Sequence, residues 1–390
     1  MPISNRLYRQ GECAPRRHSL PWRQYFRNIL AKDTVLWASL ILAAASFAVA
    51  GRAPASSLEY IDFRTLACLA CLMTASGGFM ISGVFDWAAA RLTNRCRGQR
   101  SLSAAMVFCT FFASMLVTND VALLVFVPTT LLCFRKTGLD PVATVVLQTL
   151  AANVGSIALP MGNPQNLYLY SRYQMAFGPF LRTVLPLSLA GAALLALCCL
   201  LMKNRVMECP RTETPVPRRG DIALYAALFV IAALATFGLI DHRLALVPTV
   251  AVLLIKGRDL AQQVDYALLL TFVGFFLFVG NVSHLPAVET ALRSFVEPRP
   301  FAAAVLASQV VSNVPAAIML SGFTEDGGAL LAGVSAGGCG TLIASMASLI
   351  SYKLLVRAGG GKARFLVVFT LLNVLFLAAM VAAYWAGLAA

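Results

Sequence analysis

The sequence predicts an all-α polytopic membrane protein built as two inverted repeats, each with a re-entrant hairpin and a broken transmembrane helix. Three observations carry that prediction. The chain is 59% hydrophobic and only 12% charged, against roughly 25% charged in a soluble domain. Apolar runs long enough to cross a hydrocarbon core, about 20 residues each, recur along most of its 390 residues. A pair of helix-breaking motifs occurs twice. The first copy is Thr118-Asn119-Asp120 with Gly162-Asn163-Pro164-Gln165-Asn166. The second is Ser312-Asn313-Val314-Pro315 with Gly337-Gly338-Cys339-Gly340-Thr341 and Ala344-Ser345-Met346-Ala347-Ser348.

Short polar side chains, Gly and Pro are poor helix formers, so at membrane depth these motifs leave backbone N–H and C=O groups unpaired. Lipid cannot satisfy them, and such breaks persist only where protein or a water-filled site does. Paired breaks at corresponding positions of two halves are the pattern of a substrate site between inverted repeats.

The elements follow in order. Residues 1–33 form a basic tail whose first apolar run begins near Thr34, too far in for an ordinary secretory signal, so a retained first span over 34–50 is expected. The first repeat covers 34–203: a second span at 65–88, a hairpin at 102–134 with Thr118-Asn119-Asp120 at its tip, a broken helix at 141–178 interrupted over 153–166, and a last span at 182–202. Residues 204–242 are a basic loop and a linking span near 222–240. The second repeat, 243–387, has spans at 243–255 and 263–283, a hairpin at 301–323 with Ser312-Asn313-Val314 at its tip, a broken helix at 328–355 and a final span at 365–387. The hairpin tips align Asn119 with Asn313, and the breaks align Gly162 with Ala344.

The formal net charge of +14 invites a nucleic-acid reading, and the distribution of charge opposes it. With these spans, 24 of the 31 Lys and Arg fall on one side of the membrane, as the positive-inside rule requires. The expectation is a multi-pass protein of the bacterial inner membrane with a cytoplasmic N-terminus. Its partner is the lipid bilayer, which the basic tail from Arg6 to Lys32 also touches through anionic headgroups.

Four stretches make the chain recognisable: SMLVTNDVALLVFVP (114–128), ANVGSIALPMGNPQNLYLY (152–170), SQVVSNVPAAIML (308–320) and AGGCGTLIASMASLISYK (336–353). With SGVFDWAAARL (82–92) and the span order, the chain resembles the ion-transporter superfamily of arsenite permeases, NhaD-type antiporters and citrate and dicarboxylate transporters, nearest its YbiR-like anion-transporter branch. The resemblance implies two hairpin tips and two unwound helices meeting near the midplane, and homodimerisation. It also implies that tip and break residues supply oxygen ligands to a coupling cation and contact the substrate. Carried over by position, Thr118, Asn119, Asp120 and Asn163 are the coupling candidates. The substrate candidates are Asn119, Gly162, Asn163, Pro164, Asn166, Ser312, Asn313, Gly340, Thr341 and Ser345. Val314 departs from the family pattern by removing one oxygen from the second site, Ser348 stands where a second Asn is common and Leu159 where Thr is common, and Asp120 adds a carboxylate to the first, which points to one cation site rather than two.

The chemistry of the first site can be argued without the family. Asp120, Asn119, Thr118 and freed carbonyls offer the hard oxygens that sodium favours. Alternatively Asp120 carries a proton, because removal from water penalises a charged carboxylate. An intramembrane charge costs about 2.5–3.5 kcal/mol or more, which argues against an accidental Asp. The plain structural alternative is that Asp120 caps the second hairpin helix. No Lys or Arg occurs within 101–134, 141–171 or 300–352, so oxyanions would be attracted by helix N-termini. That suits a small inorganic or organic anion, or a neutral hydroxylated species such as arsenous acid, better than trivalent citrate. Close helix packing is the alternative for the two Gly-containing breaks.

Other residues weigh less. Asp86 is expected to pair near a helix end, Cys68-x-x-Cys71 to pack in an apolar helix, and Tyr168, Tyr170 and Tyr173 to anchor a membrane interface. Cys339 offers a single thiol. The ten cysteines and three histidines form neither a disulfide framework nor a metal cluster. The expectation is a secondary active transporter of a small anion or oxyanion, coupled to sodium or protons by alternating access, without other cofactors and without enzymatic chemistry. An arsenite or antimonite efflux permease, a sodium/proton antiporter and an anion channel are the alternatives.

Overall fold

The structure is a computed structural model describing Pro21, Gln24 and residues 33–50, 54–206 and 214–388. Most of the predicted basic tail lies outside the described residues. The regular elements among those described are helices, apart from one isolated bridge between Gly98 and Val206.

The first half runs α1 (Thr34–Ala50), a 3₁₀ turn (Pro54–Tyr60), α2 (Phe63–Ser82), α3 (Val84–Thr93), α4 (Gln99–Leu116) and α5 (Asn119–Thr137). It continues through α6 (Val142–Ser156), a 3₁₀ turn (Pro160–Gly162), α7 (Pro164–Arg172) and α8 (Phe177–Leu201). After α9 (Arg219–Thr236) come α10 (His242–Lys256), α11 (Arg258–Ala261), α12 (Tyr266–Val282) and α13 (Pro286–Val296). The chain ends with α14 (Pro300–Val311), α15 (Asn313–Leu320), α16 (Gly327–Gly337), α17 (Met346–Arg357) and α18 (Lys362–Leu388).

Five helix starts share one local cause. Asp33, Asp62, Asp241, Asp265 and Asp326 each accept a backbone N–H from the first turn of α1, α2, α10, α12 and α16, satisfying donors that a helix N-terminus otherwise leaves free. Much of the sparse negative charge therefore caps helices.

Two elements differ from expectation. The second span is two helices, because Gly83 at φ +73° turns the chain between α2 and α3 through the left-handed region that glycine enters without a Cβ clash. Residues 286–296, which carry Glu289 and Arg293, form an amphipathic helix capped by Glu297, and Arg293 pairs with both carboxylates. The breaks are also narrower than expected. Asn153 stays helical within α6, and the first interruption spans 157–163.

By length and composition, α2, α8, α9 and α18 are long and apolar enough to cross a membrane, and α1, α6, α12, α14 and α16 are shorter apolar helices. The exterior is apolar as well: Leu200 and Leu201 of α8, Leu254 and Ile255 of α10 and Leu371 of α18 are exposed. That surface belongs in lipid, and the protein is a multi-pass membrane protein. The interior packs around the hairpins and breaks. α4 lies against α5 and α6, and α14 against α15 and α16; α1 packs on α12, and α10 on α2. Small residues permit the closest approaches. A Cβ on Gly155 of α6 would stand 2.2 Å from the carbonyl oxygen of Phe111, and one on Gly337 of α16 would stand 2.7 Å from Ser308 Cβ.

Candidate functional site

The two hairpin tips share one backbone conformation. Thr118 has φ 64° and ψ 147°, and Ser312 has φ 75° and ψ 153°. A β-branched or hydroxylated residue is strained there, at a cost on the order of 1–3 kcal/mol, and such strain concentrates at functional sites. It lets the chain reverse within one residue, so that Asn119 opens α5 and Asn313 opens α15. Both Asn side chains are buried. The N–H of Asn313 donates to the Ala344 carbonyl of the second break at 3.0 Å, tying tip to break.

The breaks are held by side-chain amides and hydroxyls. Asn163 caps α7, accepting the N–H of Asn166 at 2.9 Å while its Nδ2 donates to Ser156 Oγ at 3.2 Å. Asn166 turns its own amide onto the freed carbonyl of Ile157 at 3.0 Å. In the second break Ser345 caps α17, accepting the N–H of Ala347. Gln309 of α14 donates to the carbonyls of Gly337 and Cys339 and accepts the N–H of Thr341. These are the groups that lipid would leave unpaired.

Tips and breaks meet at a small cavity of about 40 Å³, room for roughly three water-sized particles. The tip and break helices line it with their first turns: α5 through Asn119 and Asp120, α7 through Pro164 and Gln165, α15 through Asn313, Val314 and Pro315, and α17 through its cap Ser345 and Met346. Ser312, Asp33 and Val35 beside the start of α1, and Leu268 and Thr271 of α12 complete the wall. Each helix N-terminus carries roughly half a positive charge. Among the described residues no Lys or Arg lines the cavity, and Asp33 and Asp120 do.

Several buried oxygens around this centre have no hydrogen-bond partner among the described residues. Asp120 Oδ1 and Gln165 Oε1 belong to cavity-lining residues, and Asn166 Oδ1 and Ser348 Oγ lie in the adjoining breaks. Unpaired buried acceptors are uncommon and expensive, and two of these four belong to residues that line the cavity.

Of the sequence candidates, the cavity brings together Asp120, Asn119, Pro164, Ser312, Asn313 and Ser345. Thr118, Gly162, Asn163, Asn166, Gly340 and Thr341 are outside its lining. Thr118 sets the tip's turn, and Asn163 and Asn166 close the first break. At Gly162 an added Cβ would lie 2.1 Å from the Ser156 carbonyl oxygen. Gly340, at φ +122°, passes so close to Gln309 that a Cβ would stand 2.1 Å from its Oε1. Thr341 is exposed and donates its hydroxyl to the Gln309 carbonyl at 2.9 Å.

The capping alternative for Asp120 is not what the structure shows. Its carboxylate accepts no N–H among the described residues; instead its own N–H donates to Asn119 Oδ1 at 3.0 Å. Tyr168 and Tyr170 are buried rather than placed at an interface. The Tyr168 hydroxyl meets Ser321 Oγ at 2.7 Å, and that of Tyr173 donates to the Thr324 carbonyl, fastening α7 to the end of the second hairpin. Cys339 is fully buried, with its sulfur 3.7 Å from that of Met380, away from the cavity. Asp33, Gln165, Thr271 and the bracing Gln309 were not singled out by the sequence. Gln165 sits inside the quoted Gly-Asn-Pro-Gln-Asn motif and was the one within reach.

A family model described as CitMHS, citrate transporter, matches residues 29–336. The chain belongs to this citrate transporter family. The match takes in both hairpins and the whole first break. The inner membrane protein YbiR of Escherichia coli K12 is 31% identical over 309 residues, 77% of this chain and 82% of that protein. The uncharacterized transporter MJ0456 of Methanocaldococcus jannaschii is 28% identical over 335 residues, 84% of this chain and 91% of that protein. The silicon efflux transporter LSI3 of Oryza sativa is 32% identical over 146 residues, 37% of this chain and 30% of that protein. Like other members of the citrate transporter family, the protein is a membrane transporter and not an enzyme.

Proposed function

We propose that the protein is a secondary active transporter that moves a small anion or oxyanion, driven by a sodium or proton gradient through alternating access. The observation that carries the reading is the convergence of four helix N-termini on one cavity that also holds an unpaired Asp120 oxygen. Oriented N–H dipoles attract an oxyanion without a fixed cation. Asp120 repels that anion until a sodium ion or a proton neutralises it, and this mutual dependence is what couples two solutes. Asn119 and Gln165 supply further oxygen to the cation, and Asn313, Ser312 and Ser345 face the substrate. Thr118, Asn163 and Asn166 hold the geometry.

Two inverted repeats fit the packing. α1 on α12 has its counterpart in α10 on α2, α4 on α6 in α14 on α16, α5 on α17 in α15 on α7, and α6 on α18 in α16 on α8. In that correspondence Gly155 beside Ser114 matches Gly337 beside Ser308. α9 is left over and links the halves. The charge distribution supports a cytoplasmic N-terminus, and the similarity to YbiR supports a bacterial inner membrane. Homodimerisation belongs to the same reading.

The lining supports a small substrate over the citrate of the family name, since about 40 Å³ and no basic side chain among the described residues suit a trivalent tricarboxylate poorly. A second reading, export of a neutral hydroxylated solute or of a cation against protons, draws on the two carboxylates at the cavity and on the similarity to a silicon efflux transporter. Purified protein in proteoliposomes with imposed sodium or proton gradients separates the readings. Gradient-driven uptake of phosphate, sulfate or a dicarboxylate is the expected result. Sodium-dependent proton movement without uptake of any anion would replace the anion reading with the antiporter one.

A further inference from the structure

Away from the central cavity, a surface groove of about 530 Å³ lies between the start of α4 and the end of α8. We infer that it binds one anionic phospholipid, with the phosphate against Arg97 and Arg100 and an acyl chain along Ala104, Phe108, Ala196 and Leu200. The inference rests on the membrane placement alone and not on the transport reading.

The two ends of the groove differ in chemistry. At its mouth, Gly98 and Val206 form a bridge, and the N–H of Gln99 donates to the Arg205 carbonyl at 2.8 Å. That pairing brings the loop before α4 beside the segment after α8, and with them Arg95, Arg97, Arg100, Lys203 and Arg205. Arg100 is half-buried and fixed by its Nε, which donates to the Met202 carbonyl at 2.9 Å. The rest of its guanidinium remains for another acceptor. Arg97 is exposed. Among the described residues, no carboxylate lies within ion-pair distance of any of these five cations. Below the mouth the wall is apolar. From Arg100 to Phe108 it follows α4 for about 12 Å, at about 1.5 Å per residue, down a face that meets lipid.

A free phosphate ion would satisfy the arginines and leave the apolar wall bare, whereas a phospholipid matches both ends. The cluster is also more than a share of positive-inside charge, because Arg100 is held at a fixed position beside an apolar trough. A lipid seated there would link the base of the first hairpin to α8.

Native mass spectrometry of the full chain in detergent, titrated with phosphatidylglycerol or phosphatidylcholine, tests this. The expected result is one retained phosphatidylglycerol with clear preference over phosphatidylcholine. In the double variant Arg97→Ala, Arg100→Ala its affinity should fall about thirty-fold, equivalent to about 1 kcal/mol for each guanidinium near an anionic headgroup. Ala196→Trp, which fills the trough and leaves the charge intact, should weaken binding as well. Arg258→Ala, an exposed cation elsewhere, should leave it unchanged. If the double variant does not fold, the Ala196→Trp comparison alone decides. Equal retention of both lipids, equal competition by inorganic phosphate, or binding undiminished by Ala196→Trp would overturn the assignment. So would loss of a dimer, rather than of lipid, in that variant, which would give the groove to a second copy of the chain.

Discussion

The Ser345 hydroxyl donates to Asn153 Oδ1 at 2.9 Å, and Asn153 Nδ2 donates to the Gly338 carbonyl at 3.1 Å. One side chain on the first broken helix thus satisfies both ends of the second break. Ser345 caps α17 and lines the cavity, so the shape of the site in one half depends on an amide from the other.

Asn153→Ala should therefore destabilise more than an ordinary polar truncation. It strands the Gly338 carbonyl and removes the Ser345 hydroxyl's acceptor, both in a buried setting, and each unpaired group costs about 1–3 kcal/mol. Thermal unfolding in detergent should show a clear fall. An unchanged midpoint would mean that water replaces the amide and that the link is dispensable.

The positive φ values at Thr118 and Ser312 give a prediction of the opposite sign. Glycine removes the Cβ clash, and neither side chain caps its helix: Thr118 makes no cap bond, and the Ser312 hydroxyl has only long contacts of 3.4–3.5 Å. Thr118→Gly should be neutral or stabilising by on the order of 1 kcal/mol, because released strain offsets glycine's larger entropy loss. Thr118→Val keeps the strain and should not stabilise. Equal stability of the two variants would remove the strain argument.

Glycine can also be tested by addition. Gly155→Ala puts a methyl 2.2 Å from the Phe111 carbonyl oxygen, so α4 and α6 must part, at a cost of about 1–3 kcal/mol. Gly178→Ala in the first turn of α8 meets nothing within 4 Å and should be close to neutral, because helix propensity counts little there and Pro179 follows. The pair serves as its own control for expression and detergent effects. Similar behaviour of both variants would mean that the two helices are not in close contact.

How much of this was legible in the sequence follows from which interactions are local. Apolar runs and Asn, Gly and Pro breaks are local properties, so the helical membrane class and the positions of Asn119, Gly162, Asn313 and Ser345 could be read directly. The partition of the candidates into those that line the cavity and those that brace it was not readable. Asn163 and Ser345 look alike as break residues, yet only Ser345 reaches the cavity wall. Asp33 read as the end of a basic tail, but it caps α1, and the packing of α1 on α12 carries it to the cavity. Tyr168 and Tyr170 read as interfacial because aromatic residues near helix ends often are; a hydroxyl bond to Ser321 and packing against Phe272 and Phe180 bury them instead. Residues 286–296 fall between the predicted span at 263–283 and hairpin at 301–323 and are too short to span a membrane, and their helical period shows once Arg293 is seen between Glu289 and Glu297.

Gln165 and Asp120 allow binding to be separated from folding. Each has a buried oxygen without a partner among the described residues, so removing that oxygen should relieve the fold rather than weaken it. Gln165→Leu is expected to leave the unfolding temperature unchanged or higher while raising the KM for the driving cation. Asp120→Asn keeps the shape, exchanges one acceptor oxygen for an amide donor and loses the charge, and should abolish gradient-driven uptake with the fold intact. A structural role predicts the reverse pattern, with lower stability and proportionate activity in both variants. Parallel measurement of unfolding and of transport in proteoliposomes reads that difference directly. If Asp120→Asn transports as the unaltered protein does, the coupling cation binds elsewhere, and the unpaired oxygens at the tips belong to water.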